Sequence, residues 1–341
     1  MKHAIAFVAC AVFLASLACS VARAQEKGKW VPLDKSVEVE AKQKDGSLKK
    51  ESHVISSLAV DRTTGDVLGF IRGSGLWKSS DQGQTFSLIY QAATGRCGSA
   101  FALTLDPSNG KRLAVFLDGG PSALTLDGGV TWKPIKQQGL WCNVDWSDPE
   151  AKTLNSRYGG HSEWMTSLDQ GQTWKPIKGK EWSWPFGLFG PRNWVTNGKE
   201  TLQFSDDAGA TYADVAGPKI VSRVTVMQVF KGTGYFIVKG GLACSKDRGH
   251  TWAIVPTPKD PDYGPYFGKD EKHLLMATRN EGFFESTDAG ATWKVVTAFP
   301  VVPKDVPTQN DHGGLGTAGY DPVHDAFYFC TSGQSPQKYQ R

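Results

Sequence analysis

Four arginines spread along the chain could bind an anion. Arg72, Arg157, Arg223 and Arg279 each carry a guanidinium, whose forked N–H groups match the two oxygens of a carboxylate or a sulfate. Several arginines on one surface also create a positive potential that attracts anions from solution. Together they predict an anionic ligand. The alternative is that they solvate a loop face or pair with carboxylates such as Asp118.

Two tryptophans and three titratable residues could act on such a ligand. Trp182 and Trp184 lie in a Glu-Trp-Ser-Trp-Pro segment that is too irregular for a plain strand, and their rings could stack on a sugar. The alternative is that they fill space between sheets. Asp118, Asp311 and His312 are candidate acid/base groups, because a histidine beside a carboxylate transfers protons near neutral pH.

A repeated framework must position these residues, because one eight-residue phrase occurs six times. Each copy has Asp at its third position, Gly at its fifth, Thr at its seventh and an aromatic residue at its eighth. The copies begin at Ser79, Thr125, Ser167, Ser205, Ser245 and Ser286. They recur about every 40 residues, which is the length of a four-stranded propeller blade.

The chemistry of the phrase predicts a structural turn. The Asp carboxylate can accept hydrogen bonds from backbone N–H groups downstream, and the Gly adopts a left-handed conformation that other residues resist. A calcium loop would need oxygen ligands at alternating positions and a terminal Glu, which these phrases lack. The aspartates are therefore interpreted as turn acceptors and not as catalytic groups.

The phrase resembles the Asp box, or BNR repeat, and the chain is similar to sialidase-like and sortilin-like β-propellers. This resemblance covers nearly the whole chain after residue 24, and it implies the fold far more than the function. Similar boxes occur in sialidases, xyloglucanases, sortilin-type receptors and photosystem assembly factors. The Arg-Ile/Leu-Pro motif of sialidases does not occur here, and Arg72, Arg223 and Arg279 match the sialidase arginine triad by position alone.

The predicted fold is all-β: a single seven-bladed β-propeller of four-stranded antiparallel blades over residues 25–341. First turns with proline recur at Asp106-Pro107, Asp148-Pro149 and Gly190-Pro191, and the signal returns at Asp321-Pro322, beyond the sixth box. This extra signal implies a seventh blade. Residues 29–33 resemble the strand after the third box, so the N-terminal strand should complete the last blade and close the ring. A six-bladed ring, as in sialidases, is the alternative.

The propeller should place the candidate site residues together. The boxes lie on one face of a propeller, together with the turns between the first and second strands of each blade. The other face carries the starts of the innermost strands and the loops between the second and third strands. Propeller binding sites usually lie on this second face. By this register the predicted site residues all fall on the second face. They are Arg72, Asp118, Arg157, Trp182, Trp184, Arg223, Arg279, Asp311 and His312.

The N-terminus predicts the compartment. Residues 1–24 have the pattern of a secretory signal peptide, with Lys2, an apolar run and an Ala22-Arg23-Ala24 cleavage site. We therefore expect an extracytoplasmic protein, periplasmic or secreted. Outside this segment no apolar run approaches the ~20 residues that span a bilayer, so we expect no membrane insertion. Lipidation of Cys19 is a weaker alternative, because Ser16 stands where such sites have Leu.

Charge and cysteine content restrict the kinds of partner that the chain could bind. Lys and Arg number 38 against 34 Asp and Glu, a formal net charge of +4, which does not indicate a nucleic-acid binder. No cysteine or histidine spacing indicates a metal, and we expect no cofactor and a monomer. A disulfide between Cys97 and Cys142 is left open, whereas Cys244 and Cys330 are expected to be buried thiols.

Two functions from different classes follow. The first is a propeller that binds or hydrolyses an anionic glycan on its arginine-rich face, in the manner of a glycoside hydrolase. The second is a non-enzymatic scaffold or assembly factor that captures an acidic protein segment. Whether the chain is an enzyme stays open, because it depends on whether carboxylates such as Asp118 and Asp311 face each other across a pocket.

Overall fold

The computed structural model describes most of the chain as strands and short turns. The described residues are 27–33, 38–42, 48–52, 55–95, 97, 102–139, 141–157, 163–177, 186–198, 201–215, 227–238, 240–257, 261, 263–278, 282–299, 317–330 and 336–341. Within these ranges there are thirty strands and no helix. The described ranges therefore contain no helix long and apolar enough to cross a membrane.

Seven four-stranded antiparallel sheets form the blades of a propeller, numbered here in chain order. Blade 1 contains β4 (Ile55–Val60), β5 (Val67–Ile71), β6 (Gly75–Ser79) and β7 (Ser87–Gln91). Blade 2 contains β8 (Leu103–Leu105), β9 (Leu113–Val115), β10 (Ser122–Thr125) and β11 (Lys133–Ile135). Blade 3 contains β12 (Trp141–Val144), β13 (Leu154–Arg157), β14 (Met165–Ser167) and β15 (Lys175–Pro176). Blade 4 contains β16 (Phe186–Leu188), β17 (Trp194–Asn197), β18 (Leu202–Ser205) and β19 (Ala213–Asp214).

The other three blades repeat this order. Blade 5 contains β20 (Gln228–Phe230), β21 (Thr233–Val238), β22 (Gly241–Ser245) and β23 (Ala253–Pro256). Blade 6 contains β24 (Tyr263–Phe267), β25 (Leu274–Thr278), β26 (Gly282–Ser286) and β27 (Lys294–Thr297). Blade 7 contains β28 (Ala318–Asp321), β29 (Ala326–Phe329), β30 (Gln337–Gln340) and β1 (Trp30–Pro32). A separate hairpin, β2 (Glu38–Lys42) with β3 (Leu48–Ser52), connects blade 7 to blade 1.

The two ends of the chain meet in blade 7. Strand β1 pairs antiparallel with β30, so that Trp30 lies opposite Tyr339 and Pro32 opposite Gln337. The Trp30 ring packs on Tyr339 with a centroid distance of 5.5 Å. The predicted seven-bladed fold is confirmed, and the six-bladed alternative is wrong because Asp321-Pro322 does begin the first turn of a seventh blade.

The hydrophobic core lies between the blades. In one cluster, Phe70 and Leu76 of blade 1 pack with Val115 and Leu117 near blade 2, all fully buried. The next cluster joins blade 7 to blade 1 in the same way. Because each sheet is covered on both faces by its neighbours, strands such as β5 are buried along their whole length and do not alternate between apolar and polar residues.

The eight-residue phrases form turns with one set of hydrogen bonds, and we call them box turns. In the first, Ser79 Oγ donates to Asp81 Oδ1 (2.7 Å) and accepts from Gly83 N (2.7 Å). Thr85 N and Thr85 Oγ1 donate to the two Asp81 oxygens at 2.9 and 2.6 Å. The same bonds recur around Asp127, Asp169, Asp207, Asp247 and Asp288.

Five of the six box glycines also pack against the preceding blade; the exception is Gly209, which meets Trp194 and Tyr212 of its own blade. Gly83 has φ of 88°, and a Cβ on it would lie 2.9 Å from the Leu33 side chain, beside β1 of blade 7. A Cβ on Gly171 would likewise lie 2.8 Å from Ile135 of blade 2. Only glycine satisfies both the left-handed backbone and this close approach.

The box turns lie on the same face as the first turns. In blades 2, 3, 4 and 6 the residue after the box aspartate donates its N–H to a carbonyl of the first turn in its own blade, as Gly128 N does to Lys111 O (2.8 Å). Ala289 N makes the equivalent bond to Lys272 O (2.9 Å). We call this face the box face. The second-to-third strand turns lie at the other ends of the strands, on what we call the opposite face.

Candidate functional site

The innermost strands of the seven blades surround a central channel. It forms a cavity of about 670 Å³, a size typical of ligand pockets. Every blade contributes to its wall, for example through Leu58, Thr104, Asn143, Leu188, Gln228, Tyr266 and Tyr320 in chain order. Among the described strands, each innermost strand pairs with one neighbour only, so its other edge faces the channel.

Polar side chains line the channel between these strand edges. Asn143 of blade 3 donates its Nδ2–H to the carbonyl of Met227, which leads into β20 of blade 5 (3.1 Å). Leu58 N of blade 1 donates to Thr317 Oγ1 at the start of blade 7. Thr104 and Gln228 are half-buried on the wall. The channel therefore offers both hydrogen-bonding groups and apolar surface.

Arg62 lies across the box-face end of the channel. It belongs to the first turn of blade 1, and its Nη1 donates to Pro107 O of blade 2 (3.1 Å). Its Nη2 donates to Gly268 O, beside β24 of blade 6, and its Cζ lies 4.7 Å from the centroid of the Phe230 ring of blade 5. One guanidinium thus joins the first turns of blades 1, 2 and 6 and contacts a fourth blade through Phe230.

Several innermost strands end on the box face with an aspartate, whose carboxylate accepts hydrogen bonds from the first turn that follows. Asp61 accepts from Thr63 N (2.8 Å) and Thr63 Oγ1 (2.6 Å). Asp106 accepts from Ser108 N, also at 2.8 Å. Asp145 accepts from Ser147 N and Oγ through its Oδ1. These carboxylates therefore work as turn acceptors.

Burial raises the pKa of two of these aspartates. Desolvation disfavours the ionised form of Asp106, and its turn bonds and the ion pair with Arg112 (2.7 Å) offset this only in part. Desolvation also raises the pKa of Asp145, whose Oδ2 is buried without a hydrogen-bond partner in the described structure. Arg112 lies between them, donating to Trp146 O (2.9 Å) and stacking on the Trp146 ring.

Three of the predicted site residues fall within the described structure, on the opposite face as expected from their turns. Arg72 is exposed between β5 and β6, and Asp118 is half-buried between β9 and β10. Arg157, at the end of β13, is only 3% exposed, with its Cζ 5.6 Å from the Trp141 ring. Burial lowers the pKa of Arg157. Outside the described residues lie Trp182, Trp184, Arg223, Arg279, Asp311 and His312.

The sequence analysis missed Arg62 and Arg112. Both follow the aspartate that ends an innermost strand, Arg62 directly and Arg112 six positions after Asp106. The predicted site was sought on the opposite face, so basic residues in first turns were not considered. Their position after Asp61 and Asp106 was a usable signal, because such a turn points its side chains at the box-face end of the channel.

The four described cysteines form no disulfide with one another. Cys97, Cys142 and Cys330 are buried and Cys244 is half-buried, so the disulfide left open between Cys97 and Cys142 is not formed in the structure. Burial raises the pKa of all four, to about 12 for Cys244 and Cys330. Within the described ranges no group of His, Cys, Asp and Glu side chains is arranged to hold a metal ion.

The sequence matches no family model and no curated protein. By structure, the chain is similar to the Niastella koreensis GH74 enzyme (TM-score 0.55, 14% identity, 85% of this chain covered) and spans 44% of that enzyme's length. It is also similar to the Myceliophteria thermophila Cps50 (Swd1) β-propeller domain (TM-score 0.55, 9% identity, 85% of this chain and 98% of that one). A YCF48 structure bound to D1 peptide gives a TM-score of 0.49 at 14% identity, covering 85% of this chain and 92% of that one. At these identities the two likenesses with a TM-score of 0.55 show a β-propeller and nothing finer.

Proposed function

We propose that this chain is an extracytoplasmic Asp-box β-propeller that binds an acidic segment of a partner protein at its central channel. The repeated hydrogen bonds of the box turns support the Asp-box assignment. The signal-like residues 1–24 support the compartment. N-terminal sequencing of protein recovered outside the cytoplasm should begin at Gln25, and an uncleaved cytoplasmic chain would contradict the compartment.

The observation that carries the proposal is the channel wall. Seven strand edges face a cavity of about 670 Å³, and edge strands can pair with an added extended peptide through their backbone groups. Side chains such as Thr104 and Gln228 add polar contacts along the wall. An extended polypeptide matches this combination, because it carries a regular series of N–H and C=O groups.

The acidic character of the segment follows from the arginines. Arg72 is exposed on the opposite face, and Arg223 and Arg279 are expected on the same face from the sequence register. Positive groups around a channel mouth raise the local concentration of anions and speed their association. The carboxylates Asp61, Asp106 and Asp145 lie at the other end of the channel, in first turns of the box face, where they accept turn hydrogen bonds.

Glycan hydrolysis is the competing function, and one binding panel separates the two. Purified protein is titrated into fluorescein-labelled decaglutamate, with decaglutamine and decalysine as matched controls, and into uronate-containing, sialylated and sulfated glycans. We expect decaglutamate alone among the peptides to bind, with an affinity that falls as salt rises. Failure of decaglutamate to bind, or turnover of any glycan, would contradict the proposal.

A charge-reversed variant tests whether the binding site lies on the opposite face. Arg72→Glu, which changes an exposed side chain, should weaken decaglutamate binding by roughly tenfold, because an attraction becomes a repulsion. Lys246→Glu, at an exposed box-turn position on the box face, is the matched control and should bind nearly as well as the parent. Equal losses in both variants would point to a general charge effect and against a site on the opposite face.

A further inference from the structure

The chain contains two Asn-Gly pairs, Asn109-Gly110 and Asn197-Gly198. Such a pair can lose the side-chain amide without an enzyme, because glycine has no Cβ to shield its peptide nitrogen from the asparagine side chain. In this reaction, called deamidation, the glycine nitrogen attacks the side-chain amide carbon and forms a cyclic imide. The fold places the two pairs in different surroundings, and these decide which pair reacts.

The first pair lies in the first turn of blade 2, where Asn109 is exposed. Lys111 N donates to Asn109 Oδ1 (3.2 Å), which makes an Asx turn and folds the side chain over the peptide that joins Asn109 to Gly110. The amide carbon Cγ is thereby held on the side of the Gly110 nitrogen. Proximity of this kind raises the rate of an attack within one molecule.

The Gly110 nitrogen is available for this attack. Among the described residues no hydrogen-bond acceptor is within reach of Gly110 N, so the fold does not hold the proton that it must lose. A Cβ at this position would lie 1.9 Å from the Asp61 carboxylate of blade 1. The packing of blade 1 against blade 2 therefore requires glycine here, and it keeps the reactive pair in place.

The second pair is protected by its strand. Asn197 ends β17, where its backbone pairs with Leu202 of β18, and Gly198 N donates to Thr201 O (2.7 Å). Strand pairing restricts rotation of the backbone toward the geometry of attack, and the hydrogen bond holds the proton on the Gly198 nitrogen. We expect this pair to react only when blade 4 unfolds.

We propose that Asn109 is a site of spontaneous deamidation, with water as the co-reactant. Gly110 N bonds to Asn109 Cγ as the bond from Cγ to Nδ2 breaks, and the proton that Gly110 N loses passes to Nδ2, which leaves as ammonia. Water then adds to one of the two imide carbonyls and opens the ring, giving aspartate or isoaspartate. Because Asn109 lines the cavity at its box-face end, the channel wall gains a negative charge there. The reaction needs no bound ligand.

Peptide mapping by mass spectrometry of aged protein tests this. Purified protein kept for days at mildly alkaline pH should accumulate the acid form at Asn109, whereas Asn197 should react at least about tenfold more slowly, because its attack geometry is not met. The same chain in urea is the control, where both pairs should react at similar rates since no fold separates them. In water enriched in heavy oxygen, the new carboxylate should carry that label.

Two variants of Asn109 assign the product. Asn109→Asp should elute from an anion-exchange column with the aspartate form of the aged protein, and Asn109→Gln should not age in this way because its longer side chain no longer matches the ring. Equal rates at Asn109 and Asn197 in the folded protein would overturn this inference. An Asn109 that stays intact while the chain in urea reacts would overturn it too. Decaglutamate binding by fresh protein decides the proposed function separately.

Discussion

Ser79 shows how a single hydroxyl holds a box turn. Ser79 is 1% exposed, and its Oγ donates a hydrogen bond to Asp81 and accepts one from the N–H of Gly83. The carboxylate of Asp81 then takes the N–H groups of Gln84 and Thr85 (3.0 and 2.9 Å). Although burial favours the protonated form, the bonds from Thr85, Ser79 and Gln84 together lower the pKa of Asp81, so the ionised acceptor is present at neutral pH.

Replacing Ser79 by alanine tests this role of the Ser79 hydroxyl. Ser79→Ala leaves the buried Gly83 N–H without its acceptor, and an unpaired buried donor costs about 1 to 3 kcal/mol of unfolding free energy. Urea unfolding followed by tryptophan fluorescence measures the loss. Ser80→Ala, at the exposed next position, is the control and should change stability by less than about 0.5 kcal/mol. Equal effects of the two substitutions would contradict the structural role of Ser79.

An ionic cluster between strands joins blade 6 to blade 7. Glu285 of β26 is 2% exposed and accepts two hydrogen bonds from Arg341, both at 2.9 Å, and one contact from His273 Nε2 at 2.7 Å. Arg341 also donates to Asp325 (2.8 Å) in the first turn of blade 7. Burial opposes ionisation of Glu285, but the bonds from Arg341, Lys294 and His273 outweigh it and lower its pKa to about 2.

Glu285→Gln should therefore destabilise the ring at neutral pH and not in acid. A carboxyl whose folded pKa is below its unfolded value stabilises the fold above the unfolded value, and the contribution is lost as pH falls toward the folded value. We expect the variant to lose about 2 kcal/mol at pH 7 and to approach the parent as pH falls from about 4.5 toward 2. Urea unfolding at several pH values measures the difference.

The control for this prediction is an exposed ion pair. Glu271 accepts from Lys231 at 2.7 Å, but both side chains are more than half exposed. Glu271→Gln should change the unfolding free energy by less than about 1 kcal/mol at any of these pH values. A Glu285→Gln loss that persists undiminished near pH 2 would show that packing of Glu285, and not its charge, holds the two blades.

For the whole molecule, the decisive feature is closure of the ring by the two ends of the chain. Trp30 of β1 lies against Phe283, Phe299, Phe329 and Tyr339, which belong to or flank blades 6 and 7, and its Nε1 donates to Ala298 O (2.7 Å). Blades 1 to 6 each consist of strands that follow one another in the chain, whereas blade 7 takes β1 from the other end of the chain. Blade 7 cannot form until nearly the whole chain is present.

Trp30→Ala should weaken this closure. A tryptophan contributes about 3 to 5 kcal/mol when fully buried, and Trp30 is half-buried, so we expect a loss of about 2 kcal/mol. Trp174→Ala is the matched control, because Trp174 is also half-buried but packs between blades 2 and 3. Both should lower stability in urea, but limited proteolysis should release an N-terminal peptide only from the Trp30 variant. Resistance of its N-terminus equal to that of the Trp174 variant would contradict closure through β1.

The sequence determined the fold because its signals are local. A box turn is held by hydrogen bonds within eight residues, so six copies predicted six blades, and Asp321-Pro322 with the N-terminal strand predicted the seventh. The exposed Arg72 could also be placed on its turn from the register of strands alone. Such features need no knowledge of what lies across the molecule.

Only the tertiary structure decided the character of the candidate site. Arg62 bonds the carbonyls of Pro107 and Gly268, which the ring brings together from segments about 45 and 206 residues away. Arg157, one of the predicted anion ligands, is buried against Trp141, and no disulfide joins Cys97 to Cys142. Each outcome depends on distances between different strands or blades, which hydrogen bonding within a turn does not fix and which ring closure and side-chain packing do.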